Sequence, residues 1–327
     1  MGPLPWSVGG TANVSINHRC RSVIRLYPRA VAEYNDFSVP EPASHPGSTR
    51  LRSVVSRQNA LVKELRQAFA HGQAVDGMCA VEGLRMVEEA IRSRLKLHAL
   101  FVRESSQAKA QRILDQLTKG ADAVVLPDDV FDSAVLTEHP QGIAALIKIR
   151  EQDFATALAV VPALVVVAAA IQDPGNFGTL IRSAEAFGAT AVVGTEGTVN
   201  PWNPKTVRAS AGSIFRLPLL KTQSDLLVPQ FRAREIRTFA LVAPLREVDQ
   251  RQGDGSSAHA AQRLQDADLT RPCALIVGNE GAGVPREFLR EIDEFISIPQ
   301  VRVESLNAGV AASIALYEAQ RQRSAIR

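Results

Sequence analysis

Cysteine is scarce in this sequence, and no long apolar run is present. The three cysteines, Cys20, Cys79 and Cys273, lie far apart and match no CxxC or Cys/His ligand spacing, so neither a zinc site nor a disulfide framework is predicted. No apolar stretch reaches the roughly 18 residues that cross a bilayer, because Pro162 interrupts the richest one. We therefore expect a metal-free cytoplasmic protein without a membrane role, in which Cys273 is a small buried hydrophobic residue.

Charge of either sign is nearly balanced over the 327 residues, which carry a net charge of +3. A hydrophobic content of 46% with 22% charged residues is typical of globular domains, and the length suits two of them. The positive surplus lies in the first half. It is densest at 50–66, where five cationic residues occur with a single acid, Glu64. These cations are Arg50, Arg52, Arg57, Lys63 and Arg66. Such a cluster either neutralises RNA phosphates or forms a solvated helix face.

Acidic residues are absent from the first 32 positions, and residues 1–48 contain six prolines with little periodicity. This composition predicts a flexible N-terminal extension. The arginines of the segment give it a faint resemblance to an organelle transit peptide. An upstream extension of a bacterial protein is the favoured alternative.

Hydrophobic periodicity predicts a compact α/β unit at 49–150, followed by a linker at 151–161. The predicted helices of this unit are 58–69, 84–94 and 107–117, and its predicted strands are 78–81, 97–102, 123–126 and 143–149.

Strands and helices alternate throughout the second unit, 162–327. The predicted strands are 164–171, 191–194, 239–243, 274–277 and 295–298, and the predicted helices are 177–187, 285–290 and 306–322. Continuous apolar strands separated by amphipathic helices predict a largely parallel sheet covered on both faces. The segment 245–262, rich in Gly, Ser and Gln, is expected to be an exposed loop.

Three loops follow predicted strands of the second unit, and open parallel sheets bind ligands beyond the carboxyl ends of their strands. The first loop, 173–182, is a tight turn that enters a helix. Taken singly, Asn176 is a candidate helix cap and Arg182 a solvent-facing helix residue. The third loop, 299–309, contains Ser305 and Asn307, either of which is placed to cap the last helix.

The glycine-rich loop, 278–285, lies between these two and has few side chains, so its backbone can approach a ligand. It contains neither GxGxxG in register nor the Lys-Ser/Thr pair of a P-loop. Glu280 within it would repel a phosphate, which favours a cationic or neutral ligand. The sulfonium of S-adenosylmethionine would suit this site.

Together the three loops resemble, in order and spacing, the motifs of the SpoU/TrmH family of RNA ribose 2′-O-methyltransferases in the SPOUT superfamily. The matching residues are Asn176-x-Gly178-x-x-x-Arg182, Gly278-Asn-Glu-Gly-x-Gly283, and Ile298-Pro299 followed by Glu304-Ser-Leu-Asn307. The resemblance spans about 162–323, and 203–212 resembles a further family segment. More weakly, 56–63 and 81–88 resemble the substrate-binding domain of members that act on ribosomal RNA.

The resemblance implies an α/β methyltransferase domain with a deep C-terminal trefoil knot, normally dimeric, preceded by a small α/β substrate-binding domain similar to ribosomal protein L30e. It also implies that the knot loops hold S-adenosylmethionine. The implied donor-binding residues are Gly278, Asn279, Glu280, Gly283, Ile298 and Leu306. Asn279 departs from the pattern, because many members carry a small residue there.

The implied catalytic residues are Arg182, Asn176, Glu280, Ser305 and Asn307, and the candidate RNA-binding residues are Arg50, Arg52, Arg57, Lys63 and Arg208. By resemblance Arg182 is engaged with the ribose and is the proposed base. Because a guanidinium has a pKa above about 12, stabilising the alkoxide and gripping a phosphate is expected to be its larger contribution.

The function expected from these residues is methyl transfer to a ribose 2′-hydroxyl in structured RNA, with ribosomal RNA favoured over tRNA. No metal is expected, since the donor is already activated by its positive charge. A homodimer is expected through the apolar face of the last helix, formed by Leu306, Val310, Ile314 and Leu316. The alternatives are a catalytically silent RNA-binding protein on this scaffold and a dehydrogenase, which would need GxGxxG and an acid about 20 residues further on.

Overall fold

The computed structural model describes residues 51–72, 77–117, 121–135, 137–243, 261–303 and 305–326. Several sequence predictions lie outside these described residues. They are the flexible extension at 1–48, most of the exposed loop at 245–262, and the positions Arg50, Glu304 and Cys20.

A mixed five-stranded sheet forms the centre of the described N-terminal half (51–150). Its strands are β1 (Arg52–Ser53), β2 (Met78–Glu82), β3 (Leu97–Arg103), β4 (Asp122–Leu126) and β5 (Ile143–Lys148), and the helices are α1 (Ala60–His71), α2 (Leu84–Arg92), α3 (Gln107–Leu114) and α4 (Asp128–Val135). The strand order is β1-β4-β3-β5-β2, and β5 runs antiparallel to both its neighbours. Helices α1 and α4 cover one face, and α2 and α3 cover the other.

Local chemistry explains where α1 begins and ends. The side chain of Asn59 accepts a hydrogen bond from the amide of Leu61, and Gly72 ends the helix in the left-handed conformation. The buried residues of α1 recur at helical spacing, which confirms the predicted helix. Helix α4, eight residues long with two acidic residues in its first turn, was not predicted, although first-turn acids favour a helix start.

A parallel seven-stranded sheet forms the centre of the described C-terminal half (151–326). Its strands are β6 (Leu164–Ala169), β7 (Ala191–Gly194), β8 (Leu219–Lys221), β9 (Arg237–Val242), β10 (Gln262–Arg263), β11 (Cys273–Gly278) and β12 (Glu294–Ser297). The helices are α5 (Phe154–Leu158), α6 (Pro174–Ala186), α7 (Pro204–Ala209), α8 (Ser224–Arg232), α9 (Arg286–Leu289) and α10 (Ala308–Ala325).

The strand order of this sheet is β10-β12-β9-β11-β6-β7-β8, and every described pair is parallel. All six residues of β6 are buried, as expected for a strand covered on both faces. The predicted parallel sheet is confirmed. Helices α7 and α8 and strand β8 were not predicted; α7 and β8 are too short for a periodic signal.

Helix α5 lies inside the segment predicted to be a linker. Asp153 caps it by accepting a hydrogen bond from the amide of Thr156, and Ala157 and Leu158 are buried against the core that contains β6. The segment therefore packs as part of the C-terminal half. Too few apolar residues point inward for the sequence to reveal this.

One apolar cluster extends through both halves. Val87 and Ala90 of α2 belong to the same buried cluster as Phe177, Val207 and Phe215 of the C-terminal half. A polar contact adds to it, because the side-chain amide of Asn200 donates to the carbonyl of His71 at 3.2 Å. The two halves thus share a core, which favours a fixed arrangement.

Helix α6 is packed tightly against two other helices. A β-carbon at Gly178 would lie 2.7 Å from the carbonyl oxygen of Thr206 in α7 and 2.5 Å from the β-carbon of Ala209. On α10, a β-carbon at Gly309 would lie 3.1 Å from the side chain of Thr179. The backbone of α6 therefore approaches α7 as closely as the chain allows.

The described cysteines are buried thiols. Burial raises the pKa of Cys79 and also that of Cys273, the latter against the lowering effect of Arg323. The prediction that Cys273 is a buried hydrophobic residue is confirmed. Within the described ranges no group of His, Cys, Asp and Glu is arranged to hold a metal ion. None of the described helices has the length and apolar content that a membrane crossing needs.

Gly178→Ala is expected to lower the free energy of unfolding by about 1–3 kcal/mol, because the added methyl group overpacks the contact between α6 and α7. The control is Gly194→Ala, whose β-carbon would make an ordinary 3.5 Å contact with Thr198. Urea unfolding of the two variants measures the difference. Equal stability of Gly178→Ala and the parent protein would contradict the tight contact.

Candidate active site

The three loops singled out from the sequence lie at the carboxyl edge of the parallel sheet. Gly278 and Ala169 form the last register pair of β11 and β6, so the first and glycine-rich loops start side by side. The third loop starts at β12, three strand positions from β6, a separation of roughly 14 Å. It reaches α6 at Asn307, so it crosses the carboxyl ends of β9 and β11.

A hydrogen-bonded junction centred on Asn176 joins these loops. The amide nitrogen of Asn176 donates to the carboxylate of Glu280 in the glycine-rich loop. Its amide oxygen accepts a hydrogen bond from the side-chain nitrogen of Asn307 in the third loop, at 2.7 Å. Asn176 thus contacts two other predicted catalytic residues, which follow it in the sequence by 104 and 131 positions.

The caps of α6 and α10 differ in part from the sequence interpretation. Asn176 is not the cap of α6: Asp173 caps it and accepts a hydrogen bond from the amide of Asn176 at 2.7 Å. The sequence Asp-Pro-Gly contains the signal, a cap residue followed by proline at the first helical position. Of the two residues suggested to cap α10, Asn307 does so by accepting from the amide of Val310, whereas Ser305 is exposed.

The glycine-rich loop is closed by its own backbone. Asn279 and Gly283 exchange main-chain hydrogen bonds of 3.0 and 2.9 Å, and the side chain of Asn279 accepts from the amides of Gly281 and Ala282. A β-carbon at Gly278 would lie 2.3 Å from the carbonyl carbon of Gly283. The glycine at 278 is therefore required by the loop itself, and Asn279, which departs from the family pattern, organises the turn.

The same loop is open on its exposed side, and the third loop contains an unpaired buried oxygen. Gly283 has a φ of +69°, and no atom lies within 4 Å of the position a β-carbon would take. In the third loop the side-chain oxygen of Gln300 is buried and accepts no hydrogen bond from a described residue. An unpaired buried acceptor is costly, so this oxygen suits a hydrogen-bond donor on a ligand. Sequence reasoning missed Gln300, because the local pattern does not reveal burial of one atom.

Arg182 is exposed on α6 and makes no ion pair within the described part of the chain. The structure does not bring it into contact with Glu280, Ser305 or Asn307. Ile298 and Leu306 are half-buried at the two ends of the third loop.

The candidate RNA-binding cations differ in whether a carboxylate pairs with them. Arg52 pairs with Asp122 at 3.8 Å and Arg57 with Asp129 at 2.6 Å. Lys63 on α1 and Arg208 on α7 are exposed, and neither has a carboxylate partner within the described residues. Nearby, Arg66 donates to the backbone and hydroxyl of Ser133. The positive cluster read from the sequence is therefore partly neutralised by acids of α4 and β4.

A parallel sheet whose loops meet in this junction has the features of an RNA methyltransferase domain, and comparison with known proteins agrees. The model of the SpoU rRNA Methylase family matches residues 163–317. The model of the MRM3-like substrate binding domain matches residues 59–145. The predicted order, a substrate-binding domain followed by a SpoU-type domain, is confirmed.

Individual relatives cover most of the chain. It is 32% identical over 269 residues to the 23S rRNA (guanosine(2553)-2′-O)-methyltransferase RlmP of Bacillus subtilis, covering 82% of this chain and 98% of that protein. It is 30% identical over 250 residues to the 23S rRNA (uridine(2479)-2′-O)-methyltransferase of Streptomyces viridochromogenes, covering 76% and 84%. The AdoMet-bound rRNA methyltransferase from Sinorhizobium meliloti superimposes with a TM-score of 0.67 at 25% identity, covering 83% and 98%. The chain belongs to the SpoU rRNA methylase family.

Gly278→Ala is expected to open the glycine-rich loop, because its β-carbon collides with main-chain atoms of Gly283 and Val284. Amide hydrogen exchange at Asn279 and Gly283 should accelerate, since each of these amides donates to the carbonyl oxygen of the other residue. Gly281→Ala is the matched control, with its nearest neighbour an ordinary 3.6 Å away. Unchanged protection at both amides in Gly278→Ala would contradict the closed loop.

Proposed function

We propose that this protein transfers the methyl group of S-adenosylmethionine to the 2′-hydroxyl of a ribose in ribosomal RNA. The observation that carries the proposal is the Asn176 junction, which brings residues of all three family motifs into contact. Relatives named as 23S rRNA 2′-O-methyltransferases favour ribosomal RNA over tRNA. Family membership removes the dehydrogenase alternative, and the intact junction gives the catalytically silent alternative no support.

The residues of the carboxyl edge fit the methyl donor. The main chain at Gly278, Asn279 and Gly283 would hold it from one side, and Ile298 and Leu306 from the other. When bound, the donor supplies a methyl group already activated by a positive sulfonium, which needs no metal. Glu280, positioned by Asn176, places negative charge at the same edge, and the free oxygen of Gln300 is available to a donor group of the ligand.

In this proposal Arg182 and the two asparagines, Asn176 and Asn307, position the ribose. Arg182 is exposed and its guanidinium is uncommitted within the described chain, so it can grip a substrate phosphate and stabilise the developing alkoxide. A pKa above about 12 makes a guanidinium a reluctant base, so positioning is its larger role. Asn176 and Asn307 join the first loop to the third, and Ser305, exposed in the third loop, would shape the donor pocket together with Glu280.

Recognition of the RNA beyond the ribose falls to exposed cations of both halves. Lys63 and Arg208 have no carboxylate partner within the described residues, whereas Arg52 and Arg57 would have to release Asp122 and Asp129 before neutralising a phosphate. Lys63 and Arg208 therefore contribute most to phosphate binding. The cytoplasmic location expected from the sequence is part of this proposal.

Arg182→Ala is expected to reduce methyl transfer to a ribosomal RNA fragment by at least about 100-fold, because the alkoxide loses its positioned cation. Transfer is measured with labelled donor, and the product is mapped as a 2′-O-methyl ribose. Donor affinity, measured by calorimetry, should not change. Arg234→Ala, on the opposite edge of the sheet, is the control. Near-normal turnover of Arg182→Ala would overturn its role, and no transfer by the parent protein to any ribosomal RNA fragment would overturn the function.

The knot and the homodimer are also proposals. The third loop crosses the ends of β9 and β11 before α10 packs on α6, as a knotted chain requires. The predicted apolar face of α10 needs a correction: Leu316 is fully buried within its own half. Val310, Ile314 and Tyr317 are exposed at i, i+4 and i+7 and form the face available to a second copy.

Ile314→Asp is expected to convert the dimer into monomers, because a carboxylate would be buried in the middle of that face. Leu226→Asp, on an exposed apolar position of α8, is the control that should stay dimeric. Light scattering across protein concentration gives the mass of each variant, and specific activity is followed in the same samples. A parent protein that is monomeric and fully active would contradict the dimer.

A further inference from the structure

Arg216 binds acidic residues of both halves of the protein. It follows the short turn Ser213–Phe215 and faces α2 on one side and α6 on the other. Its guanidinium donates to both carboxylate oxygens of Glu185 in α6. The remaining terminal nitrogen, Nη1, donates to Glu89 of α2 at 2.8 Å and is 3.4 Å from the hydroxyl of Ser93.

The environment of these three charged groups is partly closed to water. About a third of the Arg216 side chain and a quarter of the Glu89 side chain are exposed, with side-chain values of 31% and 25%. Burial alone would raise the pKa of Glu185, but hydrogen bonds from Arg216 and Ser213 and the charge of Arg216 hold it below its usual value. Arg216 thus stays charged and bound to both helices, and its planar fork serves two carboxylates at once.

Two further contacts hold the end of α2 at the same point. Gly212 has a φ of +93°, and a β-carbon there would lie 3.0 Å from the β- and γ-carbons of Glu89. On the other side, Arg150 donates to the carbonyl oxygens of Ser93 and Arg94. The end of α2 is therefore held between the segment that joins the halves and the turn that carries Arg216.

Helix α6 links this contact to the chemistry. Glu185 lies three residues after Arg182 on the same helix, so Arg216 binds the helical turn next to the one that presents Arg182. Glu89 belongs to the half that matches a substrate-binding domain. One guanidinium therefore connects the half that binds RNA with the helix that meets the ribose.

We propose that Arg216 is a positioning residue for methyl transfer, which holds the RNA-binding half, through Glu89, at a fixed place relative to the helix that presents Arg182. This inference rests on the function proposed above. RNA that contacts both halves meets Arg182 correctly only when that placement is kept, and small displacements of a reacting group have large effects on rate. Donor binding, which uses the loops of the carboxyl edge, does not depend on Arg216.

The test compares Glu89→Met, Arg216→Met, Arg216→Lys and the double variant Glu89→Met/Arg216→Met. Methionine keeps an unbranched apolar stem in place of either side chain while removing the charged group. The control is Arg92→Met, because Arg92 pairs with the same carboxylate of Glu89 at 2.6 Å but from within α2. Methyl transfer to a structured ribosomal RNA fragment gives kcat and KM, calorimetry gives donor affinity, and thermal unfolding gives stability.

Glu89→Met is expected to raise the KM for RNA about fivefold, the size of effect that loss of a partly buried ion pair gives, with donor affinity unchanged. Arg216→Met should raise KM similarly and also lower kcat, since it frees Glu185 as well. Arg216→Lys should restore little, because one ammonium cannot serve both carboxylates. The double variant should match Arg216→Met alone, as expected for residues of one connection, and Arg92→Met should match the parent protein.

Other outcomes separate the positioning role of Arg216 from the proposed function. If the parent protein transfers methyl groups but Glu89→Met leaves KM unchanged, or the effects of the double variant are additive, the positioning role is wrong and the function stands. If Arg216→Met only lowers the melting temperature, with KM and kcat unchanged, Arg216 is merely structural. If the parent protein shows no transfer to RNA while it binds the donor, the proposed function is wrong.

Discussion

The side-chain amide of Asn176 is the interaction on which the rest of the site depends. Its nitrogen donates a hydrogen bond to the carboxylate of Glu280, and its oxygen accepts one from the amide nitrogen of Asn307. A carboxylate only accepts and an asparagine nitrogen only donates, so the amide can satisfy both partners in one orientation. Asn307 in turn caps α10. These linked polar side chains therefore fix the arrangement of the three loops and the start of the last helix.

Close approach of backbones is the second constraint. Gly178, Gly278 and Gly309 each occupy a position where a β-carbon would meet another part of the chain at about 3 Å or less. Two of these glycines bring α6 against α7 and α10, and one closes the glycine-rich loop. These glycines in and beside the family motifs thus shape the architecture around the site. The function of such a residue is visible only when its neighbours are known.

The sequence could predict features that neighbouring residues determine, but not contacts between residues far apart in the chain. Buried strands such as β6 were evident as apolar runs, and the motif residues were identified by resemblance to the family. Helices α4 and α5 were too short for a periodic signal. The pairing of Arg57 with Asp129 joins residues 72 positions apart, and the burial of Leu316 away from Ile314 depends on which side of α10 meets α6. Neither can be read from spacing alone.

The crossing of the third loop also has a consequence for the order in which the protein is made. Asn307 is synthesised 131 residues after Asn176, which corresponds to roughly 7–26 s at ordinary rates of translation. During that interval the strands β7 to β12 are synthesised, while the amide oxygen of Asn176 lacks its hydrogen-bond donor and α6 lacks the helix that covers it. All strands of the sheet are therefore made before the third loop is complete, and the junction of the three loops can form only after Asn307 has been added.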